Sequence, residues 1–404
     1  MGSAQLVCVE GGPPMKIDAV MIPALKDCVH CGLCLPECPT YHATGREAES
    51  PRGRIAALRG VMEERSSVSD AIHDGLESCL VCRACESACP SGISMENLMA
   101  RYREQTRNVR GDFSASLESW LLSYVISHPR RLNACLNLVR ILSPGLRIFP
   151  GNEDLPARHR LRPQPPVPQL LEPSGQARGT VSILRGCVAD RLFREETHLA
   201  ARLLARAGWR VLVPAAGCCG ALHHHAGLVE AGQHHASLRW KDLSVAEVDY
   251  VVVDSAGCGS HLLGQRDSDS PPITDTVTLL ANEGGFVAQS RLPGRWAISV
   301  PCHQQHSDLD STTGISIIES CVEERVELPA QDHCCGAAGM YLLRRRKLSR
   351  KIGKMAHERF EKSDADAIVS GNPGCLLRWE GLLGSSRAKH PVQILAQSSG
   401  LTPI

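Results

Sequence analysis

The sequence predicts an α+β multidomain protein, in which an α-helical N-terminal domain with two cysteine clusters is followed by two repeated small α/β domains. Two groups of four closely spaced cysteines lie in the first ninety residues, and the sequence between them has the apolar spacing of helices. From Thr180 onward, short apolar runs alternate with helical patterns, as in α/β domains. Four cysteine positions recur there in the same order, which indicates two copies of one unit.

Composition excludes several classes of protein. The 404-residue chain is 43% hydrophobic, enough for globular cores, and its net charge of +1 gives no indication of a nucleic-acid partner. The 19 cysteines are odd in number and mostly clustered, unlike a secreted disulfide framework. The N-terminal residues lack a signal-peptide pattern, and no apolar run is long enough to span a membrane. We therefore expect a cytoplasmic protein whose thiolates are free to bind metal.

Changes in composition divide the chain into four predicted parts. These are a helical two-cluster domain, a helical segment with a linker, a first repeat and a second repeat: 1–112, 113–178, 179–285 and 286–404. In the first part, Pro51–Glu64 opens with proline and has helical apolar spacing. In the second, two helices are broken at His128–Pro129, and Phe149–Pro173 is a Pro-rich linker.

Each repeat is predicted to hold a small, mostly parallel sheet flanked by helices. The predicted strands are Val181–Leu184, Val211–Val213, Tyr250–Val253, Trp296–Val300, Val326–Leu328 and Ala367–Val369. The predicted helices are Glu195–Ala207, which Gly208 ends, and Leu348–Lys362.

The two N-terminal clusters share the motif C-x2-C-x2-C-x3-C-P. Its cysteines are Cys28, Cys31, Cys34 and Cys38 in the first copy, and Cys79, Cys82, Cys85 and Cys89 in the second. In two-cluster ferredoxins, three cysteines of such a loop bind one 4Fe–4S cluster and the fourth binds the other cluster. The expected ligands are therefore Cys28, Cys31, Cys34 and Cys89 for the first cluster, and Cys79, Cys82, Cys85 and Cys38 for the second. We expect a helix to begin at Pro39 and at Pro90, carrying each fourth cysteine away from its own loop.

Zinc is the alternative occupant of these clusters. Zinc sites use paired C-x-x-C groups, and they do not need three cysteines at two-residue steps plus a fourth before proline, twice. Two neighbouring iron–sulfur clusters indicate a path for electrons. Arg52 and Arg54, in SPRGR, could donate hydrogen bonds near a cluster, or could be ordinary solvated or paired arginines.

The repeats carry a second set of cysteines around a Cys-Cys-Gly motif. They are Cys187, Cys218, Cys219 and Cys258 in the first repeat, and Cys302, Cys334, Cys335 and Cys375 in the second. We expect each set to converge at the ends of strands, with Gly220 and Gly336 allowing close backbone approach. Three interpretations stay open: a metal or cluster site, a redox dithiol, or buried thiols that pack as small apolar groups. His261 completes C-x-x-H in the first repeat, whereas no second ligand follows Cys375.

Other histidines and cysteines follow no ligand motif. Residues His223–His225 are consecutive, so they cannot all bind one ion, and most are expected to be solvated. His303 and His306 could touch the pocket of Cys302 or be ordinary polar residues. The remaining cysteines are expected to be unligated: Cys8, Cys135 and Cys321.

Together these motifs resemble the iron–sulfur subunit of bacterial glycolate oxidase (glycolate dehydrogenase) over nearly the whole chain. The resemblance rests on CVHCGLCLPECPT followed by SPRGR, and on CLVCRACESACPSG, GCCGALHHHAG, DSAGCG and HCCGAAGMY. The CCG repeats are also similar to those of heterodisulfide reductase subunits, the anaerobic glycerol-3-phosphate dehydrogenase small subunit and lactate-utilisation proteins. In heterodisulfide reductase these cysteines, with a closing C-x-x-C, hold noncubane clusters. The present sequence departs from that pattern at His261 and after Cys375.

The resemblance implies a subunit of an oxidoreductase complex with no catalytic residues of its own. A partner flavoprotein carrying FAD would oxidise glycolate to glyoxylate, and a second flavoprotein-like subunit would accompany it. Electrons would pass through this chain toward a quinone-type acceptor, with the complex peripheral on the inner face of the cytoplasmic membrane. The chain has no G-x-G-x-x-G after a strand and no P-loop, so FAD is expected only on the partner. The alternatives are an iron–sulfur subunit of a lactate or glycerol-3-phosphate dehydrogenase, or a thiol–disulfide (heterodisulfide-type) reductase subunit.

Overall fold

Helices and small parallel sheets make up the protein, which confirms the predicted fold class. The computed structural model describes residues 5–9, 12–110, 113–146, 159–245, 247–329 and 334–402, without the side chains of 5–16, 108–114 and 143–146. The chain divides into two units, each continuous in space but not in sequence. Unit 1 comprises Met1–Leu122, Leu222–Gly232 and Asp332–Ala356, and unit 2 comprises Ser123–Ala221, Gln233–Gln331 and His357–Ile404. The four-part division of the sequence stays a prediction.

Unit 1 begins with an antiparallel hairpin that the sequence did not predict, formed by β1 (Gln5–Val9) and β2 (Gly12–Ile17). Helices follow, as expected. They are α1 (Met21–Asp27), α2 (Pro39–Thr44), α3 (Pro51–Met62), α4 (Asp70–Glu77), α5 (Ala84–Ser87), α6 (Met95–Arg110) and α7 (Phe113–Trp120), with a 3-10 turn at Glu47–Glu49. The start of α3 is fixed because Ser50 accepts a hydrogen bond from the Gly53 N–H and Pro51 needs no partner for a missing N–H. Leu58 and Leu98 are buried in one apolar core within this unit.

The predicted break in the second part of the chain is present. A π-helical segment, Leu121–Ile126, follows α7, and α8 (Pro129–Leu146) begins at the proline. Part of the predicted linker, residues 149–158, lies outside the described residues. The rest of the linker is not all loop, because β3 (Leu170–Leu171) pairs antiparallel with the first sheet.

The first repeat forms a sheet with the strand order β3-β5-β4-β6-β7, parallel except at β3. Its strands are β4 (Gly179–Ile183), β5 (Trp209–Leu212), β6 (Tyr250–Val252) and β7 (Ile273–Thr274). The helices in this part of the chain are α9 (Cys187–Leu192), α10 (Arg194–Arg206), α11 (Ala221–His225), α12 (Val229–Leu243), α13 (Ala256–Leu263) and α14 (Thr276–Glu283). The register places Val181 beside Val211 and Tyr250, so the apolar runs read from the sequence meet in the sheet centre.

The second repeat forms a parallel sheet with the order β11-β10-β8-β9. Its strands are β8 (Leu292–Ile298), β9 (Val322–Val326), β10 (Ala367–Val369) and β11 (Ala388–Lys389). Its helices are α15 (Cys302–Gln305), α16 (Thr313–Cys321), α17 (Tyr341–Arg344), α18 (Arg346–Lys362), α19 (Pro373–Leu383) and α20 (Pro391–Ser398). The prediction of a strand at Val326–Leu328 was wrong in position: β9 begins at Val322. Its charged residues Glu323 and Glu324 are exposed at the sheet edge, where polar side chains are tolerated. Because of these charges, the strand lacks the apolar run from which the other strands were predicted.

The two repeats share one apolar core inside unit 2. Val181 and Ile183 of the first sheet belong to the same buried cluster as Trp296 and Ile298 of the second. Each sheet has only four or five strands, so it needs a neighbouring layer to cover its apolar surface. Burial of the facing surfaces therefore stabilises the repeats as a pair.

Candidate metal centres

One cavity in unit 1 lies between the first cysteine loop and the segment around Pro90. The cysteines that line it are Cys28, Cys31, Cys34, Cys85 and Cys89. Arg52 and Ile55 of α3 form part of the wall. Cys31 is exposed, so this cavity reaches the protein surface.

A second cavity in unit 1 lies beside the first. The cysteines that line it are Cys38, Cys79, Cys82 and Cys85. Thr40 and Arg54 complete one side of the wall. Each cavity therefore groups three cysteines of one loop with the fourth cysteine of the other motif, which is the arrangement that crossed ligation requires. The ligand assignment itself stays a prediction.

The two cysteine loops have the same backbone conformation. His30 and Gly32 have φ angles of 55° and 86°, and the equivalent Val81 and Arg83 have φ angles of 56° and 66°. Left-handed conformations are costly for non-glycine residues and above all for β-branched valine. Alternation of right- and left-handed residues turns successive N–H groups toward one point, a geometry common at iron–sulfur and phosphate sites. The strain at Val81 thus indicates a loop shaped for an anionic group.

The expected helix starts differ between the two motifs. Pro39 is the first residue of α2 and Cys38 is its N-cap, as predicted. The prediction for Pro90 was wrong, because only a turn follows it and α6 begins at Met95. Gly92, with a φ of 62°, stops the turn before a helix can continue.

The donor set of both cavities fits an iron–sulfur cluster. The first cavity is lined by five thiols and the second by four, and a 4Fe–4S cluster uses four thiolate ligands. Burial raises the pKa of Cys85 well above its ordinary value, and burial also raises the pKa of Cys34. Thiols ligate only as thiolates, so a bound cationic centre is needed to release these protons.

Segments that follow both CCG motifs lie in unit 1 against the wall of the second cavity. The Tyr341 hydroxyl donates to the Ser78 carbonyl at 2.9 Å, next to Cys79. Arg103 donates to the His225 carbonyl at 2.7 Å. Burial would raise the pKa of Glu77, but Arg103 and Arg344 together hold it at about 2, so this carboxylate stays ionised. Sequence reasoning missed these contacts because they join residues far apart in the chain.

In the first repeat, four thiols meet at the carboxyl edge of the sheet. Cys187 begins α9 after β4, the Cys218–Cys219 pair follows β5, and Cys258 lies in α13 after β6. The Cys187 thiol contacts that of Cys218, and the Cys219 thiol contacts that of Cys258. Since β5, β4 and β6 are adjacent and parallel, their carboxyl ends bring these loops together.

Electrostatics distinguish the four thiols. Contact with Cys218, together with burial, raises the pKa of Cys187 well above its ordinary value. The pKa of Cys258 is lowered because it accepts a hydrogen bond from Cys219, and the nearby His303 of the second repeat also favours its thiolate. His303 was expected near Cys302, whose sulfur lies 3.5 Å from its Nδ1, but its proximity to Cys258 could not be read from the sequence.

The CCG loop of the second repeat has the same local geometry as that of the first. The Gly220 N–H donates to Cys218 Sγ, and the Gly336 N–H donates to Cys334 Sγ, both at 3.4 Å. Both glycines have positive φ angles, 93° and 80°. At Gly336 a Cβ would lie 2.7 Å from the Ser349 carbonyl oxygen, so only glycine fits there.

The remaining cysteines of the second repeat are placed as their counterparts are. Cys302 begins α15, as Cys187 begins α9, and Cys375 lies in α19, where its Sγ accepts from Asn372 at 3.4 Å. Cys334 and Cys335 are buried in unit 1, whereas Cys302 and Cys375 lie in unit 2. The convergence of these four cysteines stays a prediction.

The unassigned histidines and cysteines are only partly as expected. The prediction that most of His223–His225 are solvated was wrong, because the first two are buried and the third pairs with Glu96 at 3.3 Å. They pack inside unit 1 as part of α11, which the sequence did not reveal as a buried element. Cys135 is exposed, whereas Cys321 is buried and burial raises its pKa. The side chain of Cys8 lies outside the described residues.

Comparison with known protein families matches the two kinds of cysteine site. Residues 24–93 match the model of the 4Fe-4S dicluster domain, and residues 181–263 and 296–379 each match that of the cysteine-rich (CCG) domain. The chain therefore combines a segment similar to the 4Fe-4S dicluster domain with two segments similar to the CCG domain. The prediction of iron–sulfur binding is confirmed, and the number of clusters stays a prediction.

Curated relatives cover nearly the whole chain. The chain is 27% identical to the probable glycolate oxidase iron–sulfur subunit of Bacillus subtilis (strain 168), over 93% of this chain and 94% of that protein. It is 28% identical to the glycolate oxidase iron–sulfur subunit of Escherichia coli (strain K12), over the same shares of 93% and 94%. Lactate utilization protein A of Oceanobacillus iheyensis is 26% identical over 50% of this chain and 88% of that protein. The chain is thus a homologue of glycolate oxidase iron–sulfur subunits.

Proposed function

We propose that this chain is the electron-transfer subunit of a glycolate dehydrogenase complex. A partner flavoprotein carrying FAD would oxidise glycolate to glyoxylate, beside a second flavoprotein-like subunit, and the electrons would leave toward a quinone-type acceptor. The choice of glycolate is supported by the two relatives named as glycolate oxidase iron–sulfur subunits. The chain itself would hold no substrate.

The observation that carries this proposal is the shared wall of the two four-cysteine cavities. Cys85 lines both cavities, so groups bound in them would be close neighbours within unit 1. A 4Fe–4S cluster, when bound, takes up and releases one electron. The residues of the chain would hold and shield two such clusters, which suits passage of electrons rather than substrate chemistry.

The first loop offers an approach for the electron donor. Val29 and Leu33, on either side of Cys31, are 72% and 57% exposed. The second cavity is more enclosed, with Cys79 and Cys82 buried. Exposed apolar side chains that lie side by side favour a protein contact, so the partner flavoprotein would dock at the first loop.

The test uses the complex purified anaerobically with its partner subunits. We expect about eight iron atoms per copy of this chain, from two cubanes, and loss of visible absorbance together with a paramagnetic signal when glycolate is added. The Cys135→Ala variant is the matched control, since that thiol is exposed and outside both cavities. Zinc in place of iron, or clusters that no 2-hydroxy acid reduces, would contradict the proposal.

Two other substrates, lactate and a disulfide, test the alternative functions in the same experiment. Reduction by lactate but not glycolate would favour the lactate alternative, which the similarity to lactate utilization protein A supports. The thiol site of the first repeat supports the thiol–disulfide alternative, because the hydrogen bond from Cys219 lowers the pKa of Cys258. Turnover of a disulfide by wild-type complex, lost in Cys219→Ala, would select that alternative over glycolate.

We also propose that the complex works at the inner face of the cytoplasmic membrane, with α8 as a contact to lipid. Within the described residues, no helix is both long and apolar enough to cross a bilayer. On α8, Leu138 and Ile141 are 56% and 67% exposed, and the helix carries arginines but no acidic residue. Exposed apolar side chains on a basic helix suit an anionic membrane surface.

The membrane proposal predicts binding to vesicles. The chain should sediment with phosphatidylglycerol-containing vesicles but not with phosphatidylcholine alone. Leu138→Ser with Ile141→Ser should weaken this at least about tenfold, because two buried apolar side chains are lost. Val287→Ser, equally exposed at 76% but elsewhere, is the matched control. Unchanged vesicle binding in the double variant would contradict the proposal, and lost subunit assembly would mark α8 as a protein interface instead.

A further inference from the structure

Arg54 is a buried cation beside the second cysteine cavity. It lies in α3, is 2% exposed and lines the cavity of Cys38 and Cys79. Its Nη1 lies 3.9 Å from Cys38 Sγ. The other guanidinium hydrogen bonds go to the Gly75 carbonyl at 3.0 Å, Thr40 Oγ1 at 2.9 Å and Ser78 Oγ at 2.8 Å. The side chain is therefore fixed on all sides with one edge toward a cysteine sulfur.

The charge of Arg54 is not neutralised by a carboxylate. Among the residues that the structure describes, its partners are a carbonyl, two hydroxyls and a sulfur, and it takes part in no ion pair with Asp or Glu. A buried, unpaired cation costs several kcal/mol unless a negative charge lies near. The titratable groups that act on Arg54 are the thiols of Cys38 and Cys79 and the Tyr341 hydroxyl. An anionic group held by those sulfurs would supply the missing counter-charge.

The first cavity offers a natural comparison in Arg52. This arginine pairs with Glu47 through Nε and Oε1 at 2.7 Å, and the two side chains are 33% and 50% exposed. Its positive charge is therefore cancelled by a carboxylate and screened by water. Only the second cavity, within the described part of unit 1, faces an arginine that is both buried and without a carboxylate partner.

We propose that Arg54 is a positioning residue that raises the reduction potential of the second cluster above that of the first, so that electrons run from the first cavity to the second. The inference rests on the proposed electron-transfer function. Reduction adds one negative charge, and a desolvated guanidinium that donates to a ligand sulfur stabilises the reduced form. Arg52 would do this weakly, because Glu47 and water cancel its field.

The test is a potentiometric titration of the full chain, loaded with iron and sulfide and followed by electron paramagnetic resonance. Cys31→Ala and Cys82→Ala identify which signal belongs to which cavity. Arg54→Gln should lower the second midpoint by at least about 59 mV, which corresponds to a tenfold change in the equilibrium for one-electron exchange between the clusters. Arg52→Gln, the matched control, should leave that midpoint unchanged.

The outcomes separate this inference from the proposed function. Two clusters present, with the second midpoint unchanged in Arg54→Gln or both midpoints lowered equally, would overturn the role of Arg54. A wild-type chain without clusters would overturn the function instead. If Arg54→Gln loses the second cluster, Arg54→Lys decides: lysine keeps the charge although it cannot make all four hydrogen bonds, so the second midpoint should stay above the first. A second midpoint below the first in that variant overturns the role.

Discussion

A chain carrying Cys31→Ala together with Cys89→Ala is expected to keep about four of its eight iron atoms, because both cysteines would serve the first cluster. A chain carrying Cys82→Ala with Cys89→Ala is expected to keep almost none, because each substitution would damage a different cluster. The structure motivates this pairing: Cys89 lines the cavity of Cys31, whereas Cys82 lines the other. Iron and sulfide analysis of anaerobically loaded chain measures both results.

The two double variants distinguish crossed ligation from ligation in which each loop uses its own fourth cysteine. If each loop instead kept its own fourth cysteine, the iron contents would be reversed, with about four atoms left in the Cys82 and Cys89 double variant. Cys135→Ala should retain the full content, since its thiol is exposed on α8. Electron transfer from glycolate should be lost in both double variants, because either one leaves at most one cluster of the proposed pair.

Replacing Arg160 with methionine is expected to destabilise unit 2 by about 3–5 kcal/mol, as removal of one partner from a buried ion pair commonly does. Arg160 is 2% exposed and donates to Glu196 Oε1 at 2.5 Å and to Glu380 Oε1 at 2.8 Å. Its guanidinium also lies over the Phe193 ring, 4.3 Å from the centroid. Without it, two carboxylates of different repeats would be buried, with only His159, 3.9 Å from Glu380 Oε1, left as a candidate partner.

The cost of this substitution should depend on pH. Burial already raises the pKa of Glu196 although Arg160 is present, and loss of the arginine would raise it further. A carboxyl group whose pKa is raised on folding favours the folded state at low pH, and that stabilisation is lost as pH rises through the folded pKa. The urea midpoint of Arg160→Met should therefore lie furthest below wild type at pH 8 and approach it toward pH 5.

Two further variants test the explanation. Arg210→Met removes a half-exposed arginine that pairs with Glu172, and should cost under about 1 kcal/mol. Adding Glu196→Gln and Glu380→Gln to Arg160→Met should restore much of the stability, because no buried charge would then remain. An equal loss in the triple variant would mean that packing on Phe193, rather than charge, is the reason for the effect.

Much of the fold could be predicted because its signals are local. The apolar run at Ala367–Val369 became β10 with the same bounds, and Pro51 starts α3 as expected. Elements without such signals were missed or misplaced. The exposed charged residues of β9 obscure its apolar pattern, and β3 lies in a stretch that was predicted as a linker. Their hydrogen-bonding partners are distant in sequence, and only the partner makes each a strand.

The candidate sites, like the fold, could be predicted only where their signals are local in sequence. Cysteine spacing alone indicated two four-thiol groups, and the repeated Cys-Cys-Gly indicated two copies of one loop. It could not indicate that His303 of one repeat lies near Cys258 of the other, or that histidines 223 and 224 are buried. Such contacts depend on which surfaces pack together. Packing is driven by burial of apolar residues from distant parts of the chain, so local spacing does not reveal it.

By itself, then, the sequence determined where the soft thiol donors lie, at intervals short enough for a loop to present them together. The tertiary structure decided the charge around those donors. It left Arg54 buried without a carboxylate while giving Arg52 one, and it buried Arg160 between two glutamates. The physical reason is that spacing is a property of neighbouring residues, whereas the desolvation and pairing of a charge depend on everything the fold packs around it.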